Sequence, residues 1–309
     1  MNTPPTIPKR LIIRLVNIFK YNIRKLRRKF TYYNLHIYPN LYRPSSKPFI
    51  SGDTFRQYSN HIFDETQGFK PKKIKKNDVV FLKSDLIELF FNYFHPEITQ
   101  PYILLTHNSD FIFTNEFKKY KDKMIIHWFA QNLDFSSNAD FSLLPIGLEN
   151  KRYLNNGLLS HFKNNQNKEK NHFILCSFNK DTNPERVDVL SIVEKLELVN
   201  IENYPNHKDY IQHMSRYKFN ISPKGNGSDT HRFWESLMVD TFPIVVRSPF
   251  TKNMENLGIP AIYLDSWSEL ASYNTEKLDE IYIGLINKDS RKFMSFQFWQ
   301  QTFNDKILP

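Results

Sequence analysis

The chain of 309 residues is 40% hydrophobic and 15% aromatic, a composition that folds and excludes a disordered polymer. Its length suits two compact α/β domains, each with its own core. The single cysteine, Cys176, excludes an intramolecular disulfide framework and a cysteine zinc cluster. It sits in the apolar run Phe173-Ile174-Leu175-Cys176 and reads as a buried thiol in a reducing compartment.

The formal charge of +10 is unevenly spread. Eleven of the 42 Lys and Arg lie in residues 1–52, where no Asp or Glu occurs, leaving 31 basic against 32 acidic side chains in the remainder. The globular part is near neutral, so nucleic acid is not an expected partner. The excess belongs to a basic amphipathic arm over 1–45. Within it Leu11, Leu15, Ile18, Phe19, Ile23, Leu26 and Phe30 recur at helical spacing, with Arg10, Arg14, Arg24 and Arg28 mainly on the other side. Residues 10–30 suit an anionic membrane surface; a helix docked on the protein's own body and a frayed basic tail are the competing readings. No run approaches the roughly 20 apolar residues that span a bilayer, and the arginines interrupt any signal-peptide core. A cytoplasmic protein, peripheral on a membrane at most, is the expectation.

Alternating strands and helices follow. A first Rossmann-like domain is expected over 46–155, with strands at 79–82, 102–105, 124–128 and 142–146 and a helix at 86–94; the polar loop 106–110 follows the second of these strands. Residues 156–171, rich in Asn and Lys, read as the interdomain linker. A second Rossmann-like domain is expected over 172–270. Its strands fall at 172–177, 219–221, 242–246 and 261–264. One helix opens at Pro184 and presents Val187, Leu190, Val193 and Leu196 to the core; others cover 208–217 and 230–239. Helices over 271–309 close the chain. Open sheets of this kind bind ligands beyond the carboxyl ends of their strands, across the cleft between the domains.

Residues 219–246 read FNISPKGNGSDTHRFWESLMVDTFPIVV: strand, glycine loop, helix, strand. Gly225 and Gly227 flank Asn226 and are two of only eight glycines. They let the backbone approach a ligand, and the helix behind them offers free N–H groups to a diphosphate. Asp229 or Ser228 serves as N-cap. Arg232 and Glu235, three residues apart, project from one side of that helix. The guanidinium suits phosphate oxygens, and the carboxylate, one turn further in, suits two hydroxyls of a ribose. Without a partner ligand, the same pair is an ordinary helical ion pair on a solvated surface.

The stretch 219–246 resembles the core motif of the exostosin-like glycosyltransferases through Pro223, Gly225, Gly227, Arg232, Glu235 and Pro243. Ser177-Phe178-Asn179 and Asn183-Pro184-Glu185-Arg186 are similar to that family's entry into its donor domain. Gly52-Asp53-Thr54-Phe55, the loop 106–110 and Pro145-Ile146-Gly147 are looser matches. The convincing similarity covers 172–265. It implies a GT-B-like fold, an inverting mechanism and a UDP-linked nucleotide-sugar donor, with a glycan acceptor at the first domain. It implies that Arg232 and Glu235 meet diphosphate and ribose, with Arg186 reaching the phosphates. The fucosyltransferases share the layout, which keeps a GDP-sugar open, and a non-catalytic basic-arm binding protein is the reading from another class.

No Asp-x-Asp occurs in the chain. A metal-independent enzyme with no cofactor is therefore expected, in which Arg232, Arg186 and Lys224 neutralise the leaving diphosphate. Lys224 reads equally well as a solvated loop lysine. Inversion needs a general base. Asp110 and His107, in one loop beyond a buried strand, and Asp53 after Ser51-Gly52 are the candidates. The competing readings are a helix cap for Asp110 and a hydrogen bond within its own loop for His107. Phe129-Ala130-Gln131-Asn132 and Glu149-Asn150 lie at other strand ends. The ten histidines are scattered, with no pair at metal-ligand spacing that includes a third partner, and Trp128, Trp234, Trp267 and Trp299 read as core.

Overall fold

The computed structural model describes residues 43–307, so the amphipathic arm over 10–30 lies outside the described residues. The chain folds as two parallel five-stranded sheets with helical connections, the two-sheet α/β architecture expected above.

The first sheet runs in chain order: β1 (His61–Phe63), β2 (Val79–Lys83), β3 (Tyr102–His107), β4 (Ile125–Ala130) and β5 (Phe141–Leu143). With every strand beside its predecessor and every crossover of one hand, all connections fall on one face. Val80, Leu82, Leu104 and Trp128 point to that face and pack with Phe90, in the middle of α2 (Ile87–Tyr93), and with Phe94 just past its end. Val79, Phe81, Ile103, Leu105 and Phe129 alternate to the other face. That face would be bare. It is covered by Phe55 of α1 (Gly52–Tyr58) and by Phe296, Trp299 and Phe303 of the last helix, α9 (Phe296–Asn304). Ile50 N–H donates to Met294 O at 3.0 Å and Phe296 N–H to Pro48 O at 2.8 Å, which returns the chain's end to the first half.

The second half begins after α3 (Ser160–Lys163), a short helix within 156–171. Lys170 anchors that stretch by donating to Ser215 O at 2.8 Å and Val239 O at 2.7 Å. Its strands are β6 (His172–Cys176), β7 (Val199–Ile201), β8 (Tyr217–Ile221), β9 (Phe242–Val246) and β10 (Ile262–Leu264), in the order β10-β9-β8-β6-β7. The helices are α4 (Glu185–Val193), α5 (His207–Met214), α6 (His231–Met238), α7 (Pro249–Asn256) and α8 (Thr275–Ile286). The strand order reverses between β6 and β8, and a ligand crevice opens at such a switch point, beyond the carboxyl ends.

Several expectations need correction. The short strands β1 and β7 and the helices α1 and α7 were not anticipated. The strand expected at 142–146 is only Phe141–Leu143, and Thr106 and His107 belong to β3. In α4 the buried face runs through Arg186, Val189 and Val193, whereas Val187 is 52% exposed. The rotation follows from Arg186, whose guanidinium is drawn inward by two backbone carbonyls. The cap of α6 is Thr230, not Ser228 or Asp229. Cys176 is buried, and burial pushes its thiol up to about 12. The four tryptophans are core residues.

Candidate active site

The carboxyl end of β6 carries Ser177, Phe178 and Asn179, and two arginines converge there. Arg186, in the first turn of α4, is only 4% exposed. It donates from Nη1 to Asn179 O at 2.9 Å and from Nε to Lys224 O at 2.8 Å, tying this loop to the glycine loop. Burial, reinforced by the charge of Arg232, lowers its pKa to about 10, still cationic at neutral pH. Arg232, in the first turn of α6, donates from Nε to Ser177 O at 3.1 Å. The two guanidinium carbons lie 5.5 and 5.8 Å from the Phe178 ring centroid. Neither arginine has a carboxylate within ion-pair distance among the described residues. Two cations held by carbonyls and, at Arg232, by the Tyr210 hydroxyl, at a switch point, make an electropositive end for an anion.

Arg232 lines a cavity of 660 Å³ with Phe178, Ile201, Asn203, Tyr204, His207 and Tyr210, among others. Glu235 stands behind this wall, 6% exposed, and accepts a hydrogen bond from His207 Nε2 at 3.0 Å. Burial raises its carboxyl, but the His207 hydrogen bond and the charges of His207, His231 and Arg232 outweigh it and hold the group below its ordinary range. The expected pairing of Glu235 with Arg232 on one surface is thus replaced by Glu235 supporting His207.

The glycine loop faces another way. Pro223, Lys224, Asn226, Gly227 and Thr230 line a separate cavity of 470 Å³ that includes Ile112 and Asp134 of the first half. The close approaches at the two glycines are to protein groups. A Cβ at Gly227 would lie 2.6 Å from Asn132 Nδ2, and one at Gly225 would lie 3.2 Å from Arg186 Nη2. Lys224 is ion-paired with Glu185 at 2.6 Å. Asp229 accepts from Ile146 N–H at 2.7 Å, Thr230 N–H at 2.8 Å and the Trp234 indole at 2.9 Å, so it clasps the halves together. Burial pushes its carboxyl up to about 7.

Of the three base candidates, two are enclosed. His107 donates from Nε2 to Pro145 O at 2.9 Å and accepts from Asn108 N–H at Nδ1, 2.6 Å away, so both nitrogens are engaged. Burial lowers its pKa to about 4 and keeps it neutral. Asp53 is fully buried and lies 3.6 Å from Arg43 and 3.8 Å from Arg152. Burial raises its carboxyl despite those charges. Asp110 is exposed and reaches the glycine loop, accepting from Asn226 Nδ2 at 3.2 Å. It borders a cavity of 420 Å³ at the carboxyl end of the first sheet, walled by two solvent-facing aromatics, Phe111 and Tyr153, and by Lys83 and Asp85. Glu149 faces His231 at the start of α6, 3.5 Å away.

His207, Tyr204 and Tyr210 escaped sequence reasoning because β7 is three residues long with Asn200 at its centre, which hid the carboxyl end they follow. Asn206, which caps α5, was the available signal.

No family model matches the sequence, and no curated protein matches it. Among solved structures the chain is similar to an α1,3-fucosyltransferase, with 13% identity, 90% of this chain and 96% of that one covered, and a TM-score of 0.44. A structure of α1,3-fucosyltransferase with GDP-fucose gives 12% identity, 79% and 94% coverage and a TM-score of 0.38. A GtfA/B complex gives 10%, 76% and 55%, and 0.34.

Proposed function

We propose that this chain is a glycosyltransferase of exostosin-like type, moving a sugar from a nucleotide donor to a glycan hydroxyl with inversion. The observation that carries the reading is the carboxylate-free pair Arg186 and Arg232 at the β6/β8 switch point. Cations already neutralised by carboxylates do little for a leaving diphosphate, whereas these two are held by carbonyls and are preorganised for one. Arg232 borders the cavity and meets the phosphates; Arg186, enclosed behind it, adds field and holds the loop. The nucleoside lies in the 660 Å³ cavity against Phe178, Tyr204 and His207.

The acceptor occupies the cavity at Asp110, where Phe111 and Tyr153 offer aromatic faces to a pyranoside ring. Asp110 takes the hydroxyl proton as the oxygen attacks the anomeric carbon and the nucleoside diphosphate departs. Arg232 and the neighbouring field stabilise the charge on that leaving group without need of a metal.

Release of product nucleotide, measured over panels of UDP- and GDP-sugars with and without EDTA, tests the assignment. Arg232→Ala is expected to lose donor binding and Asp110→Asn to lose turnover, with the fold of both intact. Undiminished rates in both variants would remove the assignment, and the same panel decides between UDP and GDP.

A further inference from the structure

Three side chains from three segments meet behind the nucleoside cavity. His207 Nε2 lies 3.0 Å from Glu235 Oε1, and His207 Nδ1 lies 2.8 Å from His161 Nδ1. His161 belongs to α3, in the stretch joining the two halves; His207 opens α5; Glu235 lies in the second turn of α6. The Phe162 ring, 5.8 Å from the His207 ring, seals the junction.

Counting protons makes this arrangement selective. The ionised Glu235 can only accept, so Nε2 of His207 carries a hydrogen. The Nδ1···Nδ1 contact needs one hydrogen between two nitrogens. A neutral pair satisfies it with His161 as donor, and a pair with one added proton satisfies it from either side. Two imidazolium rings would set N–H against N–H, and the contact would open. The other charged or titratable groups around the trio are Lys208, beside His161, His231 and Arg232, beside Glu235, and Tyr210, whose ring centroid is 6.1 Å from that of His207. Burial first, then the charges of His207 and Lys208, make protonation of His161 harder, with Glu235 acting against them.

We infer that His161 is a positioning residue: through one shared hydrogen it locks the His207 imidazole as a fixed wall of the nucleoside cavity, and a second proton on the pair releases that wall. Both nitrogens of His207 being engaged with protein, the ring presents its face or carbon edge to the cavity, a surface for a planar or apolar part of the ligand. The inference rests on the donor reading above for what the cavity holds, but the shared hydrogen itself does not.

Two measurements on the full chain test it. Imidazole ¹⁵N spectra of the ligand-free protein should show a coupled Nδ1–H···Nδ1 pair that survives one protonation and is lost at the second. Calorimetric binding of UDP and of GDP should be about tenfold weaker in His161→Phe near pH 7.5, the effect of one lost hydrogen bond. His161→Asn, whose side-chain amide can restore the partner to Nδ1, should recover it. The advantage of wild type over His161→Phe should shrink as pH falls through the second protonation seen in the spectra. Wild-type affinity and pH profile in His161→Phe would overturn the positioning role, and uncoupled imidazole signals would overturn the shared hydrogen. Coupled imidazoles with no binding of either nucleotide to wild type would overturn the donor reading and the positioning role that rests on it, leaving the shared hydrogen standing.

Discussion

The carboxylate of Asp229, in the second half, accepts the backbone N–H of Ile146, in the first, at 2.7 Å. The same group receives the Trp234 indole and the Thr230 amide, and its own amide donates to Asn132 Oδ1 at 2.8 Å, again across the junction. Asp229 thus joins the two halves beside the glycine loop, alongside His231, whose Nδ1 lies 2.7 Å from Gly147 O, and Asn253, which accepts from Ser137 N–H and donates to Phe135 O, both at 2.8 Å. Asp229→Ala leaves three N–H donors without their acceptor in a buried place. A loss of about 3 kcal/mol is expected, read as a lower urea midpoint. An unchanged midpoint would mean that water satisfies those donors and that the clasp contributes nothing.

His107 makes acid stability a test of the buried loop. Its folded pKa is about 4 against an unfolded value of about 6.5, so between these limits the unfolded chain binds the extra proton. Its contribution to stability is complete above the unfolded value and is lost as pH falls towards the folded one. Asp53 and Asp229, whose carboxyls are raised by burial, act in the opposite sense, so the test compares wild type with His107→Gln. The stability difference between the two proteins should change by about 2 kcal/mol on going from pH 7 to pH 5, in the direction that disfavours wild type. A constant difference would show that the ring titrates in the folded protein as it does in the unfolded chain, as a water-exposed imidazole does, and a change in the opposite direction would show that it stays protonated when folded.

The second half was largely legible because its signals are local. Phe242–Val246 was read with the bounds it has, and the helix behind the glycines was placed to within a residue at each end. What the sequence withheld was direction. Arg232 and Glu235 do share a helix, but Glu235 turns inward because His207, 28 positions earlier, donates a hydrogen bond to it. Gly225 and Gly227 do mark a close approach, but to Arg186 and Asn132, contacts that no spacing within the loop announces. Arg43, counted with the basic arm, is buried against Asp53 and Asp64. Long-range pairing of this kind is decided by the whole fold and leaves no period in the chain.

The covering of the first sheet by α9 carries a consequence for its stability. Phe303 is fully buried, with its ring 4.8 Å from Phe129, 5.9 Å from Phe55 and 5.8 Å from Tyr58. Phe303→Ala should cost about 3–5 kcal/mol, the usual effect of emptying a phenyl site. Hydrogen exchange should quicken in β3 and β4, far away in sequence, as well as in α9. Faster exchange confined to α9 would show that the helix is an appendage and that the sheet holds without it.

Gly227 offers the sharpest test of how the two halves meet. A methyl group there would stand 2.6 Å from Asn132 Nδ2, and Asn132 has little room to retreat. Its amide donates to Phe111 O at 3.2 Å, and its oxygen accepts from Asp229 N–H. Gly227→Ala should therefore push the glycine loop away from the first half and part Asn226 from Asp110. If Asp110 is the base, a displacement of this kind should lower turnover by roughly 10- to 100-fold. Shortening the obstacle isolates the cause. In Asn132→Ala the loop loses its hydrogen-bond partner, but the added methyl then meets empty space. The double variant should be little worse than Asn132→Ala alone, a strong departure from additivity. Losses that simply add in the double variant would locate the damage in the glycine's own backbone and not in its approach to Asn132.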